Sequence, residues 1–404
     1  MEKKRLKLLY KLGILSLTIV ALYGVVMRYK IAFSFPLFDQ KNLLHAHSHF
    51  AFSGWISHLL YCGFVHVLSK FLEDAQLKKY WLLIGANWLT AFGMLIAFTL
   101  QGYDGFSITF STANIFIAVI FAYCFVKDTK YLPTKHPSKN WFITALFLNV
   151  ISAIGPFFLA YMMITKEIHQ DYYLASVYYY LHFQYNGWFF FGALGIAFSY
   201  LPENFLGINK YYKYFALTVI PTYFLSTLWF DLPMWLYLVT LIAALLQLFA
   251  WATMLFDQRQ LLSSILSESN KRWVRLIFFV AIFSITLKFI LQAISVIPAL
   301  SQLVFGFRPI VIAYLHLILL GAYSLFLIGW LFVQGEISNS KIAKTMTYSF
   351  LAGVALNELL LAIQGIAAFT YNSIPHINIL LFCAAILLFL SALGLLCNRL
   401  FFKV

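Results

Sequence analysis

Charge is what this chain has least of: 10% of its 404 residues are Asp, Glu, Lys or Arg, and only 14 are acidic. A soluble globular protein carries about a quarter charged residues, so a soluble fold is excluded. Cysteine is scarce as well. Cys62, Cys124, Cys383 and Cys397 stand apart in apolar stretches, which leaves no disulfide framework, no zinc knuckle and no Cys-x-x-Cys-His site for covalent heme. Long polar stretches are also missing. The connections between apolar runs reach about 16 residues at most, too short for a soluble domain.

What is abundant is hydrophobic (62%) and aromatic (19%). Apolar runs of about 20 residues, the length a helix needs to cross about 30 Å of hydrocarbon, recur from end to end. They predict twelve transmembrane helices, over 7–27, 44–69, 80–101, 107–126, 141–164, 171–200, 212–230, 232–255, 273–296, 309–333, 345–369 and 377–397. Asp231 and Pro233 mark the tight turn between the seventh and eighth. The first run follows the basic start MEKKRLK and lacks a small-residue cleavage site, so it reads as a retained helix. No internal sequence repeat stands out.

Basic residues test this count, because they collect on the cytoplasmic side of short loops. With the N-terminus inside, the inner segments (Lys3 to Lys7, Lys70 to Lys79, Lys127 to Lys139, Lys210 and Lys213, Arg259 to Arg275, Lys341 and Lys344, Arg399 and Lys403) hold 21 Lys and Arg. The outer segments hold 5: Arg28, Lys30, Lys41, Lys166 and Arg308. That ratio predicts both termini in the cytoplasm. The net charge of +14 then reflects topology and anionic lipid, and nucleic acid is not an expected partner.

Against this background three histidines crowd one helix mouth, in the run HAHSHFAFSGWISH: His45, His47 and His49. Imidazole is costly in hydrocarbon, so the cluster marks a candidate site for a metal or a heme. In the predicted topology His182 of the sixth helix and His316 of the tenth fall at a similar depth, in the outer half of the membrane. His45 and His49 are four apart and share a face, whereas His47 points almost opposite, on the same side as His58. One face is then available for one centre and the other for a second centre or a water path. Any one of these residues alone also reads as an interfacial hydrogen-bonding group. His66, His136, His169 and His376 sit near helix ends or in loops and are expected to be solvated or interfacial.

Two charges lie within helices. Lys288, with Gln292 one turn on, and Glu358, beside Asn357, are expensive there unless paired with each other, with a cofactor carboxylate or along a proton path. A structural ion pair or a snorkelling lysine is the competing reading. Lys288 is expected to face away from lipid. The sixth helix reads YYYLHFQYNGWFFFG, where Tyr185, three after His182, is expected on the same face. It is a candidate for binding a ligand or supplying an electron and a proton. Aromatic residues there also serve as interfacial anchors. Arg308, two turns before His316, is placed either to meet a heme propionate or to act as an ordinary interfacial arginine.

Twelve helices, histidines near the outer ends of the second, sixth and tenth, and no soluble domain resemble the catalytic subunit I of the heme-copper oxidase superfamily. The His45-Ala46-His47 opening is similar to that of its divergent NnrS-type relatives, and LHFQYNGWF is similar in character to the sixth helix of cbb3-type oxidases and nitric oxide reductases. The likeness of architecture covers nearly the whole chain and that of motifs only short stretches. The sequence departs from the oxidases in three ways. The seventh helix, YYKYFALTVIPTYFLSTLWF, has no histidine; the tenth offers only His316; and Tyr185 follows His182 by three residues instead of four. The resemblance therefore implies an all-α polytopic bundle with one bis-histidine heme b or a reduced transition-metal or copper site, not a full oxygen-reducing centre. In it His316 and His45 or His49 are the axial ligands, and His182 sits at a neighbouring metal or small-ligand position.

Two functions follow as expectations. The first is a redox membrane protein of oxidase-like fold, in a bacterial-type cytoplasmic membrane, that transfers electrons or binds and reduces a small gas such as nitric oxide or oxygen. Its candidate residues are Tyr185, Lys288 and Glu358 for chemistry and His45, His47, His49, His182, His316 and Arg308 for metal or heme. A quinol or an electron-donor subunit would supply its electrons. The second is a transporter of a metal ion or proton-coupled solute, with Lys288 and Glu358 as coupling charges and helix breaks at Gly155-Pro156 and Pro221.

Overall fold

A backbone inside hydrocarbon has no water to bond, so an apolar run must satisfy its own amides, and an α-helix does so within one segment. The computed structural model describes residues 2–201, 206–260, 272–297, 300 and 307–401. Lys271 and Lys403, counted above among the inner charges, lie outside the described residues. Among those described there are twelve helical segments. They are α1 (Glu2–Ala32), α2 (Gln40–Leu68), α3 (Asp74–Gln101), α4 (Gly105–Asp128), α5 (Lys139–Thr165) and α6 (residues 170–198). Then come α7 (Asn209–Thr218) with a 3-10 continuation (Pro221–Thr227), α8 (Met234–Asp257), α9 (Arg272–Ile294), α10 (Arg308–Val333), α11 (Lys341–Phe369) and α12 (Ile377–Phe401). They fall on the twelve expected runs. Ten of them, all but α6 and α7, are long and apolar enough to cross a membrane, and the chain is a polytopic helical membrane protein.

The two exceptions have physical causes. His182, Gln184 and Asn186 make the middle of α6 polar. In α7 the missing N–H of Pro221 ends the α-helical ladder, so the expected continuous span over 212–230 is corrected to an α-helix followed by a 3-10 turn. Pro156 acts likewise in α5: Ser152, four residues back, loses its partner, and the helix is interrupted at Ala153 between Lys139–Ser152 and Ile154–Thr165.

The chain divides into two compact units. The first comprises residues 1–124, 276–278 and 324–404. In it α1 packs on α12 and α2, α12 on α11, and α2 on α3. Helix α2 is the enclosed one: 94% of its membrane window is buried, against 17–44% for the other nine spans. An apolar helix buried all round is a core helix. Lipid is as apolar as leucine, so packing and hydrogen bonds hold such helices together. Ala46 and Phe50 of α2 close against Ala91, Met94, Leu95 and Phe98 of α3. Asn87 of α3 donates to the Ser53 carbonyl of α2 at 3.0 Å and accepts from Asn114 of α4 at 3.1 Å. At the far end of α12, Arg399 pairs with Glu336, both buried.

The second unit comprises residues 125–275 and 279–323. Here α5 packs on α6, α7 on α8, and α6 on the Pro221–Thr227 turn. A polar ladder ties three of its elements. Gln292 of α9 donates to Gln247 of α8 at 2.8 Å, and Gln247 donates to Thr222 after α7 at 3.2 Å. His136, expected to be solvated or interfacial, is buried, its Nδ1 accepting from the Ser138 amide. That bond folds the 3-residue turn around the ring and takes it out of water. His169 and His376 are exposed, as expected.

Candidate functional site

The histidines of α2 divide between two faces as their spacing requires. His47 Nδ1 bonds the Val20 carbonyl of α1 at 3.1 Å, and His58 Nε2 bonds the Leu9 carbonyl at 2.8 Å. The histidines are eleven apart and so are the carbonyls, in the opposite direction, which is the register of an antiparallel helix pair. A carbonyl only accepts, so each of these ring nitrogens carries the proton. This face of α2 is tied to the backbone of α1.

The other face carries His45 and His49. His49 stacks on Phe98 of α3 with ring centroids 4.5 Å apart and an 11° interplanar angle, and it shares a 3.2 Å hydrogen bond with Tyr103. Tyr103 meets the His45 ring edge-on at 4.6 Å. The α3–α4 turn delivers Tyr103. Gly102 adopts φ 67°, a conformation that favours glycine, and a Cβ there would also meet the Asn42 side chain of α2 at 2.5 Å. Ser107 fixes the turn by donating to the Gly102 carbonyl at 2.7 Å. Beneath it, Asp39 caps α2 by accepting from the Lys41 and Asn42 amides, and these bonds hold its carboxyl below the usual range. His45 Nε2 is buried without a hydrogen-bond partner, as are Gln40 Oε1 at the start of α2 and Gln101 Nε2 at the end of α3. Three buried polar atoms, one at the end of α3 and two in the first turns of α2, thus have no partner.

In the second unit His182 is fully enclosed, 1% exposed. Its Nε2 donates to the Val219 carbonyl at 2.7 Å, and its Nδ1 accepts from Asn186 Nδ2 at 3.0 Å. The broken helix makes this possible. Near Pro221 the Tyr223 amide bonds Ile220, not Val219, so the Val219 carbonyl is open to the imidazole. The segment without a histidine supplies a carbonyl in its place. Both nitrogens of His182 are engaged by protein, and metal ligation there requires one bond to be exchanged.

Tyr185 does not share the hydrogen-bonded face of His182. The residue four on, Asn186, is the one that meets the ring, inside a π-helix (Phe183–Trp188) that begins directly after the histidine. Tyr185 is buried, hydrogen-bonds Ser226 and lies 6.3 Å from the Tyr314 ring. On α10, His316 Nδ1 donates to the Ile312 carbonyl at 2.8 Å, which leaves Nε2 as the basic nitrogen. Arg308 is exposed at the first turn of that helix. Lys288 is 3% exposed and so does not face lipid, and within its own unit it forms no ion pair with a described carboxylate. Glu358 belongs to the first unit, half-buried, and accepts from Asn357 at 3.1 Å. Among the described residues no three His, Cys, Asp or Glu side chains converge as a metal site. The five histidines assigned to a metal are therefore not gathered into one ligand set within either unit.

Sequence reasoning missed a repetition. Three π-helices occur among the described residues, Ala51–Ser57 in α2, Phe183–Trp188 in α6 and Leu317–Ser324 in α10, each starting one or two residues after a histidine. In each the spacing is His-x4-Gly: His49 and Gly54, His182 and Gly187, His316 and Gly321. π-turns are rare and concentrate at functional sites. By the numbering of the described helices they fall on α2, α6 and α10, but the spacing does not announce the turn by itself, because His58 and Gly63 share it within the regular α-helix His58–Leu68. Asn186, Gln247 and Tyr103 were missed too, as lone polar groups in or beside apolar runs. Compared with known proteins, the chain matches no protein-family model and no curated protein sequence.

Proposed function

We propose that this chain is a heme-binding redox protein of the membrane, with an oxidase-like bundle of twelve crossings and both termini in the cytoplasm. The observation that carries the reading is the buried, unshared Nε2 of His45 at the mouth of the most enclosed helix, with aromatic rings beside it. The donor set suits heme better than a bare metal. A bare ion asks for three or four converging ligands, whereas a heme iron asks one or two neutral imidazoles of the protein. In the first unit His45, backed by His49, would hold the iron. In the second it would be His316, its tautomer fixed by the Ile312 carbonyl in the manner of a metal-bound imidazole. A bound heme b would supply one-electron chemistry and a position for a small gas; a quinol or a partner subunit would supply electrons. Protein purified from heme-replete bacterial membranes is expected to show a Soret band that His45→Ala or His316→Ala removes or shifts, while His47→Ala, on the α1 face, leaves it. A colourless wild-type preparation refutes the reading.

One set of observations favours a second reading, a transporter of a metal ion or proton-coupled solute: the broken helices α5 and α7 and the buried Lys288. Discontinuous helices around a buried charge are the build of a midplane transport site. Colourless protein that moves a solute in proteoliposomes would support it.

A further inference from the structure

Lys288 is the one cation in the second unit buried to this depth among the described residues, and what surrounds it determines what it binds. It lines a small cavity, large enough for about one water molecule, with Asn186, Gln247, Phe190, Phe191, Phe215 and Phe289. Its ammonium stands over the Phe289 ring, 3.9 Å from the centroid. A ring face offsets only part of the cost of a buried charge.

The donors and acceptors around the cavity can be counted. Asn186 spends its amide nitrogen on His182 Nδ1, and since His182 Nε2 is committed as a donor to Val219, that direction is fixed. Asn186 Oδ1 therefore turns the other way, and it is buried with no partner. Gln292 Oε1, one turn beyond Lys288 on α9, is also buried without a partner, but Gln292 does not line the cavity. The cavity thus offers one ammonium that donates and one unpartnered oxygen, Asn186 Oδ1, that accepts. An anion would satisfy the lysine but face the Asn186 oxygen with nothing to give it. A metal cation would satisfy the oxygen and be repelled by the lysine. A small neutral molecule that accepts one hydrogen bond and donates others satisfies both.

From this we infer that the Lys288 cavity is a binding site for one water molecule, and that Lys288 acts through it as a positioning residue for His182. The water accepts from Lys288 Nζ and donates to Asn186 Oδ1. That holds the Asn186 amide with its nitrogen toward His182 Nδ1, and the imidazole stays in its single Nε2–H form. The chain of bonds then runs from α9 through the water and α6 to the Val219 carbonyl after α7. This holds whether or not the protein binds heme.

The test uses full-length protein in bilayers, labelled with 13C and 15N at histidine and asparagine, with solid-state NMR signals of His182 and Asn186 assigned by His182→Gln. On the unmodified protein the expected result is one His182 tautomer and magnetisation transfer between the Asn186 side chain and an immobile water. Lys288→Met is expected to lose that transfer and to split the single His182 signal into more than one form. Lys288→Arg, whose longer side chain reaches Asn186 without the water, is expected to keep the single form and lose the transfer. An unmodified protein without the water contact overturns the proposal with no variant needed. So does a Lys288→Met protein whose His182 signal is unchanged. A thermal midpoint raised by sodium bromide over sodium gluconate in wild type, and not in Lys288→Met, would identify an anion in the cavity and also overturn it.

Discussion

Gly187 sits in the π-turn of α6, where its absent side chain lets α5 come close. A Cβ built there would lie 2.8 Å from Leu148 Cβ, 3.1 Å from its Cδ1 and 3.4 Å from its Cγ. Carbon atoms prefer about 3.5–4.0 Å, and Leu148 Cβ is fixed to the backbone, so a rotamer change cannot clear it. Gly187→Ala must therefore push α5 away from α6. Leu148 precedes Asn149, and Asn149 and Ser152 both accept from Gln184 Nε2 at 2.8 Å, so recoil stretches two buried bonds. Overpacking costs about 1–3 kcal/mol and each weakened bond adds up to about 1 kcal/mol. Alanine's better helix propensity returns about 1 kcal/mol. The net expectation is a destabilisation of about 2 kcal/mol. Gly85 of α3, with nothing within 4 Å of its notional Cβ, is the control, and Gly85→Ala should stabilise by up to about 1 kcal/mol. Unfolding by SDS in mixed micelles measures both. If Gly187→Ala proves as stable as Gly85→Ala, the close approach of α5 is not what the glycine provides.

Glu336→Gln leaves the buried Arg399 guanidinium without its countercharge and should cost about 3–5 kcal/mol. The double change Glu336→Met with Arg399→Met should recover most of that, and thermal denaturation of the two in detergent decides it. At the mouth of α2 the Asp39 carboxyl has a lowered pKa in the folded protein because it accepts from the Lys41 and Asn42 amides. Its contribution is therefore present above the unfolded carboxylate value and is lost only as pH falls through the lowered folded value. Hydrogen exchange at Lys41 and Asn42, corrected for intrinsic rates, should stay protected at pH 5, and loss of protection there would contradict the cap.

How far the sequence could be read depended on which periodicity governed each residue. The polytopic helical build, with ten helices long and apolar enough to cross a membrane among the described residues, was legible because hydrocarbon imposes one length and one secondary structure. The two faces of α2 were legible for a similar reason: His45, His47 and His49 lie before its π-turn, on regular α-helix. Tyr185 lies inside such a turn, and helical counting leaves both the third and the fourth residue after His182 near its face, so spacing alone did not single out Asn186. A π-turn is an extra residue in the hydrogen-bond ladder with little local propensity to announce it. The Val219 carbonyl was invisible for another reason. Pro221 signalled a break, but a backbone acceptor has no letter of its own, and the missing histidines of that helix drew attention to what side chains lacked.

The repeated His-x4-Gly spacing gives these turns a common logic, because the glycine serves differently in each. At Gly54 the space is filled by the Phe50 ring of the same helix at 2.6 Å, at Gly187 by Leu148 of α5, and at Gly321 by Ser284 Oγ of α9 at 2.9 Å. Only the last two admit a neighbouring helix. What the three share is a histidine one or two residues before a widened stretch of backbone, on helices that each carry buried residues through that stretch. A rare backbone form is costly to maintain unless neighbouring packing over-determines it. Its recurrence beside His49, His182 and His316 therefore ties these histidines to the architecture. Their ring positions are set by the same turns that fix how closely α5 and α9 approach, so a substitution at Gly187 or Gly321 should disturb the imidazole as well as the packing.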